Sequence, residues 1–472
     1  MNLNKIFNTH KNKTILFLLF LVLSLSFIQL LNGTENWEDE QAIINKIIVP
    51  HFSDKNFDIT NFGAVGDGKT DCTQSFKAAI EKCSNSGGGK VLVPKGIFLT
   101  GAIHLKNNVN LHVSKDAVIK FSTDPEKYLP VVFTRWEGTE CMNYSPLIYA
   151  YEQENIAVTG EGMLDGSASD SNWWQWKGKK DYGWKTGEVN QNLDREKLLE
   201  MGDNNIPVNK RIFGEGHYLR PSFFQPYKCK NILVEGVTFK NSPMWFLNPV
   251  LCSSVTIKNI VTEGLGPNND GCDPECSDDV LIEGCRFNNG DDCIAIKSGR
   301  NNDGRRVNVP SENIVIRDCK MQEGHGGVVI GSEISGGAKN IFVSNCSMDS
   351  PNLDRAIRLK TNSIRGGVIE NLFIRNVTVG QVKEAAIRIN YYYEEGDKGK
   401  FTPIIRNIYI KDMKCDKSPY AIWIKAYKRS PVTNLNLENC RFNDVEYPNI
   451  IENVKDIHLK DVFVNDKPIL VQ

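Results

Sequence analysis

Asn231-Ile-Leu-Val-Glu-Gly-Val-Thr-Phe239 sets the nine-residue pattern that decides the fold: a polar residue, alternating apolar positions, a polar or glycine pair, then apolar-polar-apolar. The pattern begins again at Ser254, Asp279, Asn313, Asn340, Asn371, Asn407, Asn434 and Asp456, at spacings between 22 and 36 residues, with weaker copies at Asn108 and Asn155. A regular core at irregular spacing is one turn of a coil that carries loops of different length. The alternation has period two, so these are strands with one face inward. A further strand follows in many units, as in Cys293-Ile-Ala-Ile-Lys297, Ala356-Ile-Arg-Leu-Lys360, Ala386-Ile-Arg-Ile-Asn390 and Ala421-Ile-Trp-Ile-Lys425. Two or three short strands per turn, with no helical period between them, exclude a βαβ sheet. A propeller would need repeated tight hairpin turns, which are absent. The expected fold is all-β, a right-handed parallel β-helix.

The repeat also explains the cysteines. Cys285, Cys319, Cys346 and Cys440 occupy its seventh position, where other units carry Val237, Ile260, Val377, Met413 and Val462, so they read as small core residues in stacked rows. A zinc site among Cys272, Cys276, Cys285 and Cys293 is disfavoured because no Cys-x-x-Cys pair exists there. Before the regular coils, a turn-rich loop from Phe62 to Asp71 precedes a helical stripe of Phe76, Ala79, Ile80 and Cys83, suited to capping the open end of a β-helix. Asp67 and Asp71 could suggest calcium, but a turn with a helix cap is the preferred reading.

Composition narrows the classes. Apolar residues at 40% and charged residues at 24% exclude a disordered or fibrous chain. A net charge of -1 offers no global attraction to nucleic acid or to an anionic membrane. Lys5, Lys11 and Lys13 precede the apolar run Ile15 to Leu31, so residues 1–34 are expected to be a signal peptide or an N-terminal anchor. Residues 35–472 are then one exported β-helix domain, secreted or periplasmic, monomeric, with no membrane partner unless the N-terminal segment stays uncleaved.

The chemistry concentrates in neighbouring coils: Asn268-Asn-Asp-Gly271, then Gly290-Asp-Asp-Cys293, then Gly324-His-Gly-Gly327. Aligning the strands by their inward residues places Asp270 and Asp292 in the same register, one coil of about 4.8 Å apart. Carboxylates that close push apart in pKa, leaving one protonated beside an ionised neighbour, as acid-base glycoside hydrolysis requires. A raised pKa is expected at Asp291. Arg358 and Lys360, alternating with Ile357 and Leu359, should project onto the same outer face.

The spaced set Asn268-x-Asp-Gly, Gly-Asp291-Asp292, Gly-His325-Gly and Arg358-x-Lys360 resembles glycoside hydrolase family 28, the polygalacturonases and related pectin hydrolases. The resemblance covers most of the chain beyond about residue 55. It implies inverting hydrolysis of α-1,4 bonds between galacturonate units of a pectic substrate, with no metal and no cofactor. Carried over residue by residue, Asp291 resembles the general acid, and Asp270 and Asp292 resemble the pair that positions and deprotonates water. His325 would support the acid, Arg358 and Lys360 would hold a substrate carboxylate, and Tyr393 would line the site with Asn268. The chain departs from the family at Asn269, where threonine is usual. It also departs after His325, where an additional glycine puts the reach of that side chain in question and resembles a branch rich in exo-acting enzymes.

Two long segments precede the regular coils. Tyr128 to Tyr149 contains Arg135, and Ser167 to Tyr218 contains Trp173, Trp174, Trp176 and Trp184. They either fold over one end of the groove, giving exo action with aromatic faces for sugars and Arg135 for a terminal carboxylate, or pack outside as a side cluster. The alternatives to a hydrolase are a calcium-dependent pectate lyase on the same scaffold and a non-catalytic carbohydrate-binding β-helix.

Overall fold

The repeat residues Asn231, Ser254, Asp279, Asn313, Asn340, Asn371, Asn407, Asn434 and Asp456 all adopt left-handed backbone, with φ between 52° and 59°. Asn and Asp tolerate this conformation better than other side chains, which is why the pattern opens on them. Their amides also bond from coil to coil: Asn340 donates to Asn313, Asn371 to Asn340, Asn407 to Asn371 and Asn434 to Asn407, at 2.9 to 3.0 Å. The structure is a computed structural model that describes residues 37–469, so the expectation of a signal peptide or anchor at residues 1–34 lies outside the described residues.

The expected parallel β-helix is observed. One sheet stacks the first strand of each repeat in parallel, and its inward row runs Ile232, Val255, Val280, Ile314, Ile341, Leu372, Ile408, Leu435 and Ile457. The nine-residue pattern bends within itself at residues such as Gly236, Asn259, Gly284 and Asp318, all at positive φ. Its last three residues therefore belong to a second stack, as in Thr238–Lys240, Val261–Gly264 and Arg286–Asn289. The strands that follow each unit form a third parallel stack through Ile294–Ile296, Val328–Ile330, Arg355–Lys360, Ala385–Asn390, Tyr420–Lys425 and Ile450–Glu452. Inward residues of all three stacks share one continuous core from Ile59 to Val462.

The helix Thr73–Asn85 buries Phe76, Ala79, Ile80 and Cys83 and packs on the first strands, as a cap should. Asp71 accepts from the Thr73 backbone N–H at 2.9 Å, and Asp67 accepts from those of Lys69 and Thr70 at 2.8 Å. Turns are thus the role of this acidic stretch, while the expected helix cap falls instead to Cys72, which makes no side-chain cap bond. All thirteen cysteines are free and buried. Cys285, Cys319, Cys346 and Cys440 each donate Sγ–H to the carbonyl two residues earlier, so the seventh position is filled by a small thiol satisfied by its own turn. Residues from Ala42 onward form one compact unit, and the preceding unit ends at Gln41. Among the described residues no helix is long and apolar enough to cross a membrane.

The two long segments build a structure of their own beside the coils. Val132–Trp136 and Thr139–Asn143 pair as an antiparallel hairpin, and Asn192–Asp203 is a helix. Trp136, Cys141, Leu198, Phe213, Leu219, Met244 and Trp245 form a separate apolar cluster beneath them. The hairpin turns at Glu137 and Gly138, with φ of 42° and 80°. A side chain at Gly138 would meet the Arg300 backbone nitrogen at 2.8 Å, so only glycine lets the hairpin tip approach the coil this closely.

Candidate active site

Cys272 bridges Leu247 on one side and Ile294 on the other, and the Gly271 N–H donates to the Asp292 carbonyl at 3.0 Å. That register stacks Asp270 on Asp292, as the period-two alignment requires. Asp291 precedes Asp292 at the edge of the strand. One oxygen from each of Asp270, Asp291 and Asp292 lies within 4.8 Å of the others. Asp292 has no exposed side-chain surface, Asp270 is 4% exposed, and Asp291 at 18% is the most open of the three.

Cations surround this cluster. Asp292 accepts from Lys360 Nζ at 2.7 Å and from Arg358 Nη1 at 3.2 Å. Both come from the outward face of the strand Arg355–Lys360, while Ile357 and Leu359 face the core. The Tyr393 ring lies beneath both, 5.5 Å from the Arg358 guanidinium carbon and 5.2 Å from Lys360 Nζ. Lys297 stands 3.6 Å from Asp270 and 3.4 Å from Glu333, above the Trp245 ring. His325 is fixed twice: its Nδ1 lies 2.9 Å from Asp291 Oδ1, and its backbone N–H donates to the Asp291 carbonyl at 3.1 Å. The additional glycine therefore leaves the reach of His325 intact. Asn269 is buried, donating to the Ser242 and Met244 carbonyls and accepting from the Gly266 N–H, so asparagine in place of threonine ties down the loop that presents Asp270.

The charge states correct the expectation for Asp291. Burial acts to raise its carboxyl, but the hydrogen bond and charge of His325, with Lys360 and Lys297, hold it below the ordinary carboxylate range. The raised group is Asp270, pushed well up by burial and by the nearby charge of Asp291. At Asp292, burial is outweighed by Lys360 and Arg358, and the carboxyl stays low. His325 is pushed up to about 9 by its bond to Asp291. The cluster thus splits as close carboxylates must, with the proton of the Asp291–His325 pair on the imidazole.

The site opens into a pocket of about 520 Å³. Of the residues carried over from the family, Asp270, Asp291, His325, Arg358, Lys360, Tyr393 and Asn268 line it, and Asp292 lies directly behind Arg358 and Lys360. The rest of the wall escaped sequence reasoning. Glu137 at the hairpin tip accepts from Arg195 of the helix at 2.7 Å and from Arg300 at 3.3 Å. Arg300 also binds Glu333 at 3.2 Å, and Lys177 and Lys179 enter from the tryptophan-rich segment. Lys297 was within reach of the sequence: it ends Cys293-Ile-Ala-Ile-Lys297 at an outward position, in the same column as Lys360. Glu137, Arg195, Arg300 and Glu333 sit in loops or on inserted elements where no periodicity marks them.

The expectations for the two long segments are met in part. They do wall the pocket, and they also form the side cluster. Trp173, Trp174 and Trp176, however, pack against the core. Trp173 is in the core, Trp174 Nε1 donates to the Ser242 carbonyl at 2.9 Å, and Trp184 Nε1 donates to the Glu188 carbonyl at 3.0 Å. Arg135 is completely buried, 3.2 Å from Glu275 and 3.6 Å from Glu140, so it cannot reach a substrate carboxylate.

Three clustered carboxylates can hold a metal ion, but these are poor ligands. Asp270 favours its protonated form, both oxygens of Asp292 are engaged by Arg358 and Lys360, and Lys297 stands beside Asp270. A divalent cation would have to displace or repel three buried cations. Activity is therefore expected to be unchanged after dialysis against a chelator. Loss of activity restored by calcium would replace this reading with the lyase one.

Comparison with known proteins bears on the family. The family model "Glycosyl hydrolases family 28" matches residues 212–404. A probable polygalacturonase of Vitis vinifera is 27% identical over 396 residues, covering 81% of this chain and 73% of that protein. The crystal structure of a hyperthermoactive exopolygalacturonase from Thermotoga maritima is similar at 48% identity with a TM-score of 0.89, covering 91% of this chain and 96% of that one. A family 28 exopolygalacturonase from Yersinia enterocolitica shares the fold at 20% identity, with a TM-score of 0.68 over 89% of this chain and 79% of that one.

Proposed function

This chain belongs to glycoside hydrolase family 28, and from that premise we propose that it hydrolyses α-1,4 galacturonosidic bonds of pectin from the chain end, with inversion at the anomeric carbon. The observation that carries the proposal is the carboxylate cluster at the floor of a cation-rich pocket walled on one side by the hairpin tip and the inserted helix. A polymer lying through a cleft needs two open ends, whereas a wall beside the acid favours attack on a terminal sugar.

Asp291 is the most open carboxyl of the three and shares a proton with His325, which suits it to protonate the departing glycosidic oxygen. When that proton shifts from His325 to Asp291, the negative charge that raises Asp270 is removed. Asp270 is then driven to release its own proton through the pocket to solvent, and in the ionised form can take a proton from the attacking water. Asp292 stays ionised between Arg358 and Lys360 and helps hold the water. These two cations and Tyr393 also face the pocket, where a uronate carboxylate could meet them.

Distance alone does not assign the stereochemistry, since carboxyl groups of inverting glycosidases commonly stand about 6.5–9.5 Å apart and these oxygens lie closer. Access supports inversion instead. Asp292 has no exposed side-chain surface and Asp270 only 4%, which favours a small water molecule over either carboxylate as the nucleophile. Two measurements test the proposal. On long polygalacturonate, monomer or dimer should appear early with little loss of viscosity, and proton NMR should show the β-anomer first. A rapid viscosity drop would refute exo action, and an α-anomer first would refute inversion.

A further inference from the structure

Trp173, Trp174 and Trp176 fix the short 3-10 turn Trp173–Lys177 against the coils. Besides the core position of Trp173 and the Trp174 indole bond, the Trp176 ring meets the edges of Trp173 and Tyr218 at centroid distances of 4.8 and 5.2 Å. The turn stops at Gly178, with φ of 74°, and its last side chain, Lys177, enters the pocket that holds Asp291. Its ammonium donates to Asn268 Oδ1 at 2.8 Å, an oxygen that also accepts from the fully buried Arg220 at 2.8 Å. Asn268 thus acts as a mount for two cations.

Lys297, Arg300, Arg358 and Lys360 each have a carboxylate within ion-pair distance. Lys177 has none among the described residues; its hydrogen-bond partner is the shared amide oxygen. Glu137 and Asp291 favour its charge from a distance, Arg220 and Lys179 oppose it, and burial is the largest influence, bringing its pKa down to about 8. A half-buried ammonium without a counter-ion gains most from an anion that arrives with the ligand.

We propose that Lys177 determines specificity by pairing with the carboxylate of the chain-terminal galacturonate, so that productive binding requires a free acid on that sugar. The proposal rests on the polygalacturonase reading above. The tryptophan-rich segment is then the rigid support that holds this cation on the closed side of Asp291.

The test is steady-state hydrolysis of trigalacturonate by the parent protein and by Lys177→Met, Lys177→Gln and Lys177→Arg, each checked for an unchanged melting transition. Lys177→Gln keeps a polar head should Met disturb the pocket. KM is expected to rise about 10- to 100-fold in the Met and Gln variants, the range of one or two tenfold steps of about 1.4 kcal/mol, with kcat within a few-fold. Lys177→Arg should recover most of the affinity. A trimer methyl-esterified on its non-reducing terminal carboxyl should bind the parent protein as weakly as the free trimer binds the Met variant, and that variant should not distinguish the two substrates. The parent KM should rise above about pH 8 as Lys177 loses its proton, and Lys177→Arg should move that rise upward. A Met or Gln variant that turns over normally and still discriminates acid from ester by the full factor overturns the role of Lys177. Absence of turnover by the parent protein overturns the polygalacturonase reading itself.

Discussion

Asp291→Asn is expected to lower kcat by about 10²- to 10⁴-fold, the usual contribution of a positioned proton donor, while substrate still binds and the fold persists. An amide keeps the shape of the carboxyl but cannot pass the proton that Asp291 shares with His325 across 2.9 Å. The substitution also has a signature away from turnover. In the parent protein His325 carries its proton up to about pH 9 because Asp291 faces it. Its folded pKa is raised above the ordinary 6.5, so the stabilisation from this pair is fully present below about pH 6.5 and is lost as pH rises through about 9. The alkaline limb of kcat should follow the same proton. With asparagine at 291, an NMR titration of the imidazole should fall back toward the ordinary histidine range. Turnover within tenfold of the parent, or an unmoved His325 titration, would sink the assignment.

Arg135→Met is expected to destabilise the protein by about 3–5 kcal/mol, the cost of removing one partner from a buried ion pair, while leaving KM nearly untouched in the folded fraction. Arg135 has no exposed side-chain surface, and it binds Glu275, itself completely buried, at 3.2 Å. It also donates to Cys276 Sγ at 3.2 Å and stands 3.6 Å from Glu140. Burial by itself pushes the Glu275 carboxyl up, and Arg135 is the first of the groups that pull it back. Without the guanidinium, Glu275 must take up a proton or stay charged in an apolar setting. The denaturation midpoint is the measurement. A large rise in KM at unchanged stability would instead restore Arg135 to the substrate, as one of the two sequence readings of its segment has it.

Arg135 marks the limit of what the chain disclosed before folding. The β-helix was legible because period-two alternation and an opening polar residue recur with every coil, so many weak signals agree. The stacking of Asp270 on Asp292 followed from the same alternation, as did the outward projection of Arg358 and Lys360. The protonation order did not follow. It depends on how His325 approaches Asp291, and that is fixed by a loop rather than by strand period. The inserted segments were recognisable as inserted, but their orientation was hidden. A tryptophan in a loop reads alike whether it faces a sugar or a core, and here Trp173, Trp174 and Trp176 anchor while Lys177, Arg195 and Glu137 face the pocket.

The left-handed asparagines and their coil-to-coil amide bonds lie at one corner of each turn, and the sharp bend inside the nine-residue unit lies at the next. Chain length varies elsewhere, on either side of the third strands, where Arg300 and Tyr393 depart and where the Lys177 segment enters. Because each coil touches mainly its neighbours, a longer or shorter excursion there leaves the stacking of Asp270 on Asp292 undisturbed, whereas a one-residue slip at the asparagine corner would turn every following side chain to the wrong face. Heritable variation in sugar preference is thereby separated from the risk of misfolding. Laboratory recombination of this scaffold should tolerate exchanged excursions of unequal length and reject crossovers placed inside the nine-residue unit.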